Sequence, residues 1–374
     1  MTDGLEPAGG LPGTSRADDL RRALVASFDA AALASGSVLE RDFEIAGERV
    51  RLRSATASLV DQLSRAFFHL GTSSPGTPAL TVNLWDSESH ATIPPPTPEA
   101  GGELAPGAFF HSSVDGLRLG YQLGTSGDAR VLAAYREAPT PALSVLDDEH
   151  GEAWHWVADA RRYPYWEQAT PIRFLLDWWL RDRGTHVLHA GAVGTSEGGV
   201  LLVGKSGSGK STAALSSLRS QLLYAADDFV AVSVEPEPWI HSLYVSGKLM
   251  PDHLRLLPFL RPALANDDQL DFEKAVVYVH EHWPENVSSG FPLRAILAPR
   301  VVPGRAEARA VPASPLGGLA ALAPSTVFQL HTRGRDSLAR MRHLAETVPS
   351  YVLETGSDIG SIPDAIAGVL GTLR

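Results

Sequence analysis

Gly204-Lys205-Ser206-Gly207-Ser208-Gly209-Lys210-Ser211-Thr212 decides how the rest of the chain is read. It fits the pattern G-x-x-x-x-G-K-[ST]. Upstream, Gly199-Val200-Leu201-Leu202-Val203 is a short apolar run with strand character. Downstream, Ala213-Ala214-Leu215-Ser216-Ser217-Leu218 carries apolar residues at helical spacing. A glycine turn between strand and helix curls successive backbone N–H groups toward a phosphate, with the positive end of the helix behind them. Read this way, Gly204, Ser206, Gly207, Ser208, Gly209 and Thr212 cradle a nucleotide. Lys210 reaches the β- and γ-phosphates of ATP, and the Ser211 hydroxyl sits on Mg²⁺.

The next feature lies close behind. Leu222-Leu223-Tyr224-Ala225-Ala226-Asp227-Asp228 is an apolar strand closed by two carboxylates. Loop, helix and this strand form one compact unit that brings the acids back beside the phosphates. Phosphoryl transfer to a hydroxyl asks for one acid near Mg²⁺ and one to take the proton. Adjacent strand residues point to opposite sides, so the pair can divide those tasks. Ahead of the loop, His186-Val187-Leu188-His189-Ala190-Gly191-Ala192-Val193 reads as one strand lying against the loop strand. His189 there is a candidate to orient a phosphate or an aspartate, or to carry a switchable charge. Lys248, Arg294 and Arg300 stand at the ends of apolar runs and are candidates for the positive charge that departing phosphate oxygens need.

Composition narrows the classes. The chain has 374 residues, 44% of them hydrophobic, which suffices for two domains with cores. It has no cysteine, which excludes disulfides, zinc–thiolate sites and cysteine nucleophiles. A formal charge of −11 argues against a nucleic-acid partner. The start, Met1-Thr2-Asp3-Gly4-Leu5-Glu6-Pro7, lacks the pattern of a signal peptide, and no apolar run approaches membrane-spanning length. A cytoplasmic location without a membrane partner is the expectation.

Three parts are expected: a disordered tail over 1–16, an N-terminal β-rich α+β accessory domain over 17–184, and an α/β nucleotide domain over 185–374. In the second part, Leu20, Leu24, Phe28 and Ala31 share a helix face, residues 43–52 form a hairpin, and a helix covers 58–70. A strand over 79–85 precedes the spacer Pro94-Pro95-Pro96-Thr97-Pro98, and antiparallel strands recur between 109 and 157. Thr170-Pro171 opens a helix with proline first, and Trp178 and Trp179 are core residues. Farther on, Ser325–Leu330 is helix and core, and a helix over 335–346 turns Leu338, Met341 and Leu344 inward. His280-Glu281-His282 lacks helical metal-ligand spacing and is assigned to the surface.

His189-Ala190, the loop with Ala214-Leu215, and Ala226-Asp227-Asp228 with Val230 together resemble the catalytic domain of the HPr kinase/phosphorylase family. The resemblance implies a P-loop kinase fold of the type shared with ATP-using phosphoenolpyruvate carboxykinases, and transfer of a phosphoryl group to a serine hydroxyl. It implies that Lys210 and Ser211 are the loop residues, Asp227 the catalytic acid/base, Asp228 its partner near the metal with Ser211, and His189 the upstream histidine. The glycine-rich signature that follows the aspartates in true HPr kinases is replaced here by Ser242-Leu243-Tyr244-Val245-Ser246-Gly247-Lys248-Leu249. The N-terminal half does not look like their regulatory domain. The chain therefore looks more like divergent HPr-kinase-related serine kinases, some of which phosphorylate a precursor peptide. The implied partners are ATP, Mg²⁺ and a serine of a peptide or protein, and the family's assemblies make a homo-oligomer an expectation. A small-molecule kinase and a non-catalytic ATP-binding switch are the alternatives.

Overall fold

The computed structural model describes residues 16–96, 109–114, 117–123, 130–330 and 335–373. The expected tail up to residue 15 and the spacer from Thr97 onward lie outside the described residues. The first half is built on an eight-stranded sheet. Its strands are β1 (Leu39–Ile45), β2 (Glu48–Ser54), β3 (Leu80–Asp86), β4 (Phe109–Val114), β5 (Leu117–Leu123), β6 (Arg130–Arg136), β7 (Ala142–Asp147) and β8 (Glu152–Val157). Their order is β1-β2-β3-β8-β7-β6-β5-β4. β3 runs parallel to both β2 and β8, and the other pairs are antiparallel. The β1–β2 hairpin turns on Ala46 and Gly47, both left-handed, the geometry that matches strand twist.

Both faces of this sheet are covered. Helix α1 (Arg16–Ser35) lays Leu24, Phe28 and Ala31 on Trp85, Trp154 and Trp156. Helix α2 (Ala57–Phe67) packs Leu59, Leu63 and Phe67 on Ile45, Val50, Leu52 and Val82 of the other face. β7 is buried at every position, Leu143 and Val145 lying in the core under α1 and Ala142 and Leu146 in the core of the other face. A short helix, α3 (Tyr165–Gln168), leads to α4 (Arg173–Arg181). Pro171 does not open α4 as its sequence suggests. The chain bends at Ile172, left-handed at φ 48°, and the helix begins one residue later.

The second half starts with β9 (Thr185–Leu188), β10 (Gly191–Thr195) and β11 (Gly198–Leu202). Helix α5 (Lys210–Ser216) and strands β12 (Leu223–Ala226), β13 (Val230–Ser233), β14 (Trp239–Ser242), β15 (Ser246–Leu249), β16 (Ala275–Tyr278), β17 (Gly290–Val301) and β18 (Arg309–Ala313) follow. Helices α6 (Pro315–Leu330) and α7 (Arg335–Thr347), strand β19 (Ser350–Thr355) and helix α8 (Ile362–Thr372) complete it. The sheet order is β12-β10-β11-β17-β14-β13-β9, with β19 joining β17 to β18, and β15 pairs with β16 apart from it. The result is a mixed α+β molecule. Successive residues of the loop strand part to the two faces: Val200 and Leu202 go to the core under α5 and α8, Leu201 and Val203 to the core under α6 and α7. Met341 and Leu344 of α7 point inward, whereas Leu338 is 49% exposed, against expectation.

The expected single strand over 186–193 is two. β9 pairs with β13, and β10 pairs with β11 and β12. A tight turn, Ala190 N to Leu188 O at 3.0 Å, separates them and leaves His189 at the break. One hydrophobic core runs through both halves, joining Leu176 and Trp179 of α4 to Val187, Phe229, Tyr244 and Tyr278.

Candidate functional site

The loop leaves the sheet at Val203, whose N–H donates to Leu297 O at 2.9 Å. Gly204, Gly207 and Gly209 then adopt φ of 142°, 77° and 102°, values that a residue with a Cβ resists. Lys210 folds back, its Nζ donating to Gly204 O at 2.7 Å and to Lys205 O at 3.4 Å. Burial lowers the pKa of Lys210, and Asp227 and Asp228 pull it the other way. Ser208 Oγ is buried with no hydrogen-bond partner.

The two aspartates lie just past β12 and part company. Asp227 is 1% exposed. Its Oδ2 accepts from the Lys248 backbone N–H at 2.8 Å, and its Oδ1 is buried without a partner. Burial, helped by the neighbouring Asp228 charge, raises its pKa to about 6. The Lys248 N–H and the Ser211 hydroxyl pull it down, the hydroxyl standing close without full hydrogen-bond geometry. Asp228 instead takes His189 Nε2 at 2.8 Å on Oδ1 and Lys248 Nζ at 2.5 Å on Oδ2. Burial works to raise its pKa, but the Lys248 charge and the His189 bond hold it well below the ordinary carboxylate range.

His189 is fixed from three sides. Its ring packs on Phe229 with centroids 5.2 Å apart, its backbone N–H donates to Thr326 Oγ1 at 3.2 Å, and Nε2 meets Asp228. Lys210, Ser211, Asp228, His189 and Lys248 all line one cavity of 360 Å³, together with Ser206, Gly207, Ser208, Gly209 and Thr212. Gly204 does not line it.

Three placements differ from the sequence reading. Asp227, expected to face the reacting phosphoryl group, is not on the cavity wall, whereas Asp228 is. The acids follow the strand rather than end it, so strand alternation does not set their directions. Arg294 is not at the site. β17 runs parallel to β11 with Leu293 beside Gly199 and Leu297 beside Leu202, which puts Arg294 at the end of β11 remote from the loop. Its Nη2 donates to Glu197 O at 3.3 Å. Arg300 is at the correct end of β17 but pairs with Glu354 at 2.7 Å.

Sequence reading missed the residues that close the cavity from the first half: Trp166, Thr170 and Arg173. Their one visible signal, Thr170-Pro171, reads as a helix start. Among the described residues no cluster of three or more histidine and acidic side chains is arranged to hold a metal. His280 stacks on Phe68 at 4.5 Å and Glu281 pairs with Arg65 at 2.9 Å, so that triplet is engaged in packing. No helix among the described residues is long and apolar enough to cross a membrane.

No protein-family model matches the chain. No curated protein matches it either. Among solved structures, the chain is similar to the Hpr(Ser) kinase/phosphatase from Coxiella burnetii, with 11% identity over 50% of this chain and 95% of that one and a TM-score of 0.28.

Proposed function

We propose that this chain is a phosphotransferase of kinase type that moves the terminal phosphoryl group of ATP to a hydroxyl, with a serine of a peptide or protein as the acceptor. One observation carries the reading. A carboxylate, Asp228, held by Lys248 and His189, faces the same cavity as Lys210 and Ser211 of the glycine loop. A simple phosphate receptor has little use for a fixed negative charge opposite its phosphates.

The residues fit the groups such a reaction needs. The left-handed glycines leave the loop amides free of Cβ atoms, and Lys210 caps two loop carbonyls, contacts that phosphate oxygens would replace. Ser211 Oγ, on the cavity wall, is a hard oxygen donor of the kind that Mg²⁺ takes, and the buried Asp227 stands behind it. Bound there, Mg²⁺ would neutralise charge on the phosphate oxygens. Asp228 accepts the hydrogen bond of the acceptor hydroxyl and orients it. The hydroxyl oxygen bonds to the γ-phosphorus, the bond from that phosphorus to the ADP oxygen breaks, and the hydroxyl proton passes to Asp228. A carboxylate held this acidic is a weak base, which suits a loose transition state that asks more for positioning than for proton abstraction. Asp228 thus takes the role that the family resemblance gives to Asp227.

Purified protein with γ-labelled ATP, Mg²⁺ and serine peptides or small alcohols should yield labelled product. Asp228→Asn should lower turnover by about 10²-fold or more with nucleotide affinity nearly unchanged. Transfer by that variant at the wild-type rate would remove Asp228 from the chemistry. Stabilisation by MgATP without product from any acceptor would leave an ATP-binding switch.

A further inference from the structure

Residues 166–171 belong to the first half of the chain, yet they wall the cavity of the second. Lys248 Nζ donates to Thr170 Oγ1 at 3.0 Å and lies 3.4 Å from Trp166 O, while Asp228 Oδ2 is 2.5 Å away. An ammonium has three N–H donors, and two of the acceptors around this one come from the first half. Thr170 is 1% exposed and Lys248 8%, so both ends of the contact are buried. The Thr170 hydroxyl donates onward to Trp166 O at 3.3 Å, which leaves its lone pairs for the lysine.

The segment is held from both sides. From the second half, Tyr244 OH donates to Pro171 O at 2.9 Å, Ser246 Oγ donates to Ala169 O, and Glu273 Oε2 accepts from Trp166 N–H at 3.3 Å. From the first half, Arg136 and Arg173 grip the buried Glu167 at 2.9 and 2.5 Å. Ile172 is buried in the left-handed region at φ 48°, which a β-branched residue adopts only where its surroundings impose it. Residues 166–172 are therefore set by contacts on both flanks, not by local preference.

We propose that Thr170 is a positioning residue: with the Trp166 carbonyl it aims the Lys248 ammonium at Asp228, so the first half completes the transfer site. A lysine ammonium sits on a flexible four-carbon stem that can place it in many positions. Two fixed acceptors remove that freedom and leave one N–H directed at the carboxylate. Without them Lys248 swings away, and Asp228 keeps only the His189 contact. The kinetic consequence rests on the kinase reading above; the contact itself does not.

The test uses the full chain with Thr170→Val, Thr170→Ala and Thr170→Ser. Two readouts are taken: acylation of Lys248 by an amine-reactive ester, followed by peptide mass spectrometry, and turnover of MgATP. Val and Ala should raise Lys248 acylation about fivefold or more and lower turnover roughly tenfold, with affinity for a fluorescent ATP analogue within about twofold. Ser, which keeps the hydroxyl, should restore both. Acylation in Val and Ala equal to wild type overturns the proposal, as does a Ser variant as impaired as Val. If the wild-type protein turns over no ATP, acylation alone decides, so loss of the kinase reading is separable from loss of the clamp.

Discussion

Asp227 and Asp228 are identical in chemistry and adjacent in sequence, yet their carboxyls are driven in opposite directions. Asp227 is buried beside a negative neighbour and rises to about 6; Asp228 is buried beside a lysine and falls. Partner charge, not burial, separates them. The same physics at His155 bears on stability. That ring is fully enclosed, bonded to Ser144 Oγ at 2.9 Å and Tyr163 OH at 3.2 Å, and burial lowers its pKa to about 4. The unfolded chain protonates near its ordinary 6.5 while the folded one does not. Stability from this residue is therefore complete above pH 6.5 and is lost as pH falls toward 4. At pH 5 the loss is about 2 kcal/mol. His186 and His241, each lowered to about 4 by burial, act in the same sense. Asp177, raised to about 6 by burial, acts oppositely, losing stability as pH rises from 4 to 6. Urea unfolding at pH 7 and pH 5 should show a smaller drop for His155→Gln than for wild type; an equal drop would show that His155 does not titrate as described.

At the scale of the element, the loop between β11 and α5 works through backbone shape. Gly209 has φ 102°, and an added Cβ would find only Pro299 Cβ, 3.8 Å away. Space is available, but the conformation is not. Gly209→Ala should therefore cost about 1–2 kcal/mol of stability and, on the function proposed, about tenfold or more in affinity for MgATP, as measured by urea unfolding and by titration of a fluorescent analogue. Unchanged affinity would show that this backbone shape does not carry the nucleotide binding proposed above. The loop was legible because its spacing is local: every residue of the turn is within a few positions of the next. The break in the strand at His189 was not. Nothing in His186–Val193 changes character there, and β9 and β10 separate because β13 and β11 lie in different places. Arg294 was misplaced for a similar reason. Its run is a true strand, but which end of a strand lies by the loop depends on the parallel pairing of β11 with β17.

Across the whole molecule, the two sheets belong to separate stretches of chain but share a core. Trp179, fully buried, stands in that shared region. A single cooperative unfolding transition is expected in calorimetry. Trp179→Ala should lower it by the equivalent of about 3–5 kcal/mol without splitting it. Two resolved transitions in the wild-type protein would show that the halves unfold separately. Much of this architecture was readable: the helix faces of α1, the Ala-Gly hairpin, the strands of the first sheet and the strand–turn–helix of the loop all follow from period and turn residues. What side chains meet across the seam was not. Period and turn chemistry act over a few residues and survive in a bare string of letters. Thr170 reaching Lys248, or one aspartate facing the cavity while its neighbour faces Ser211, depends on segments far apart in the chain being packed together, and on the charges that each burial then brings into contact.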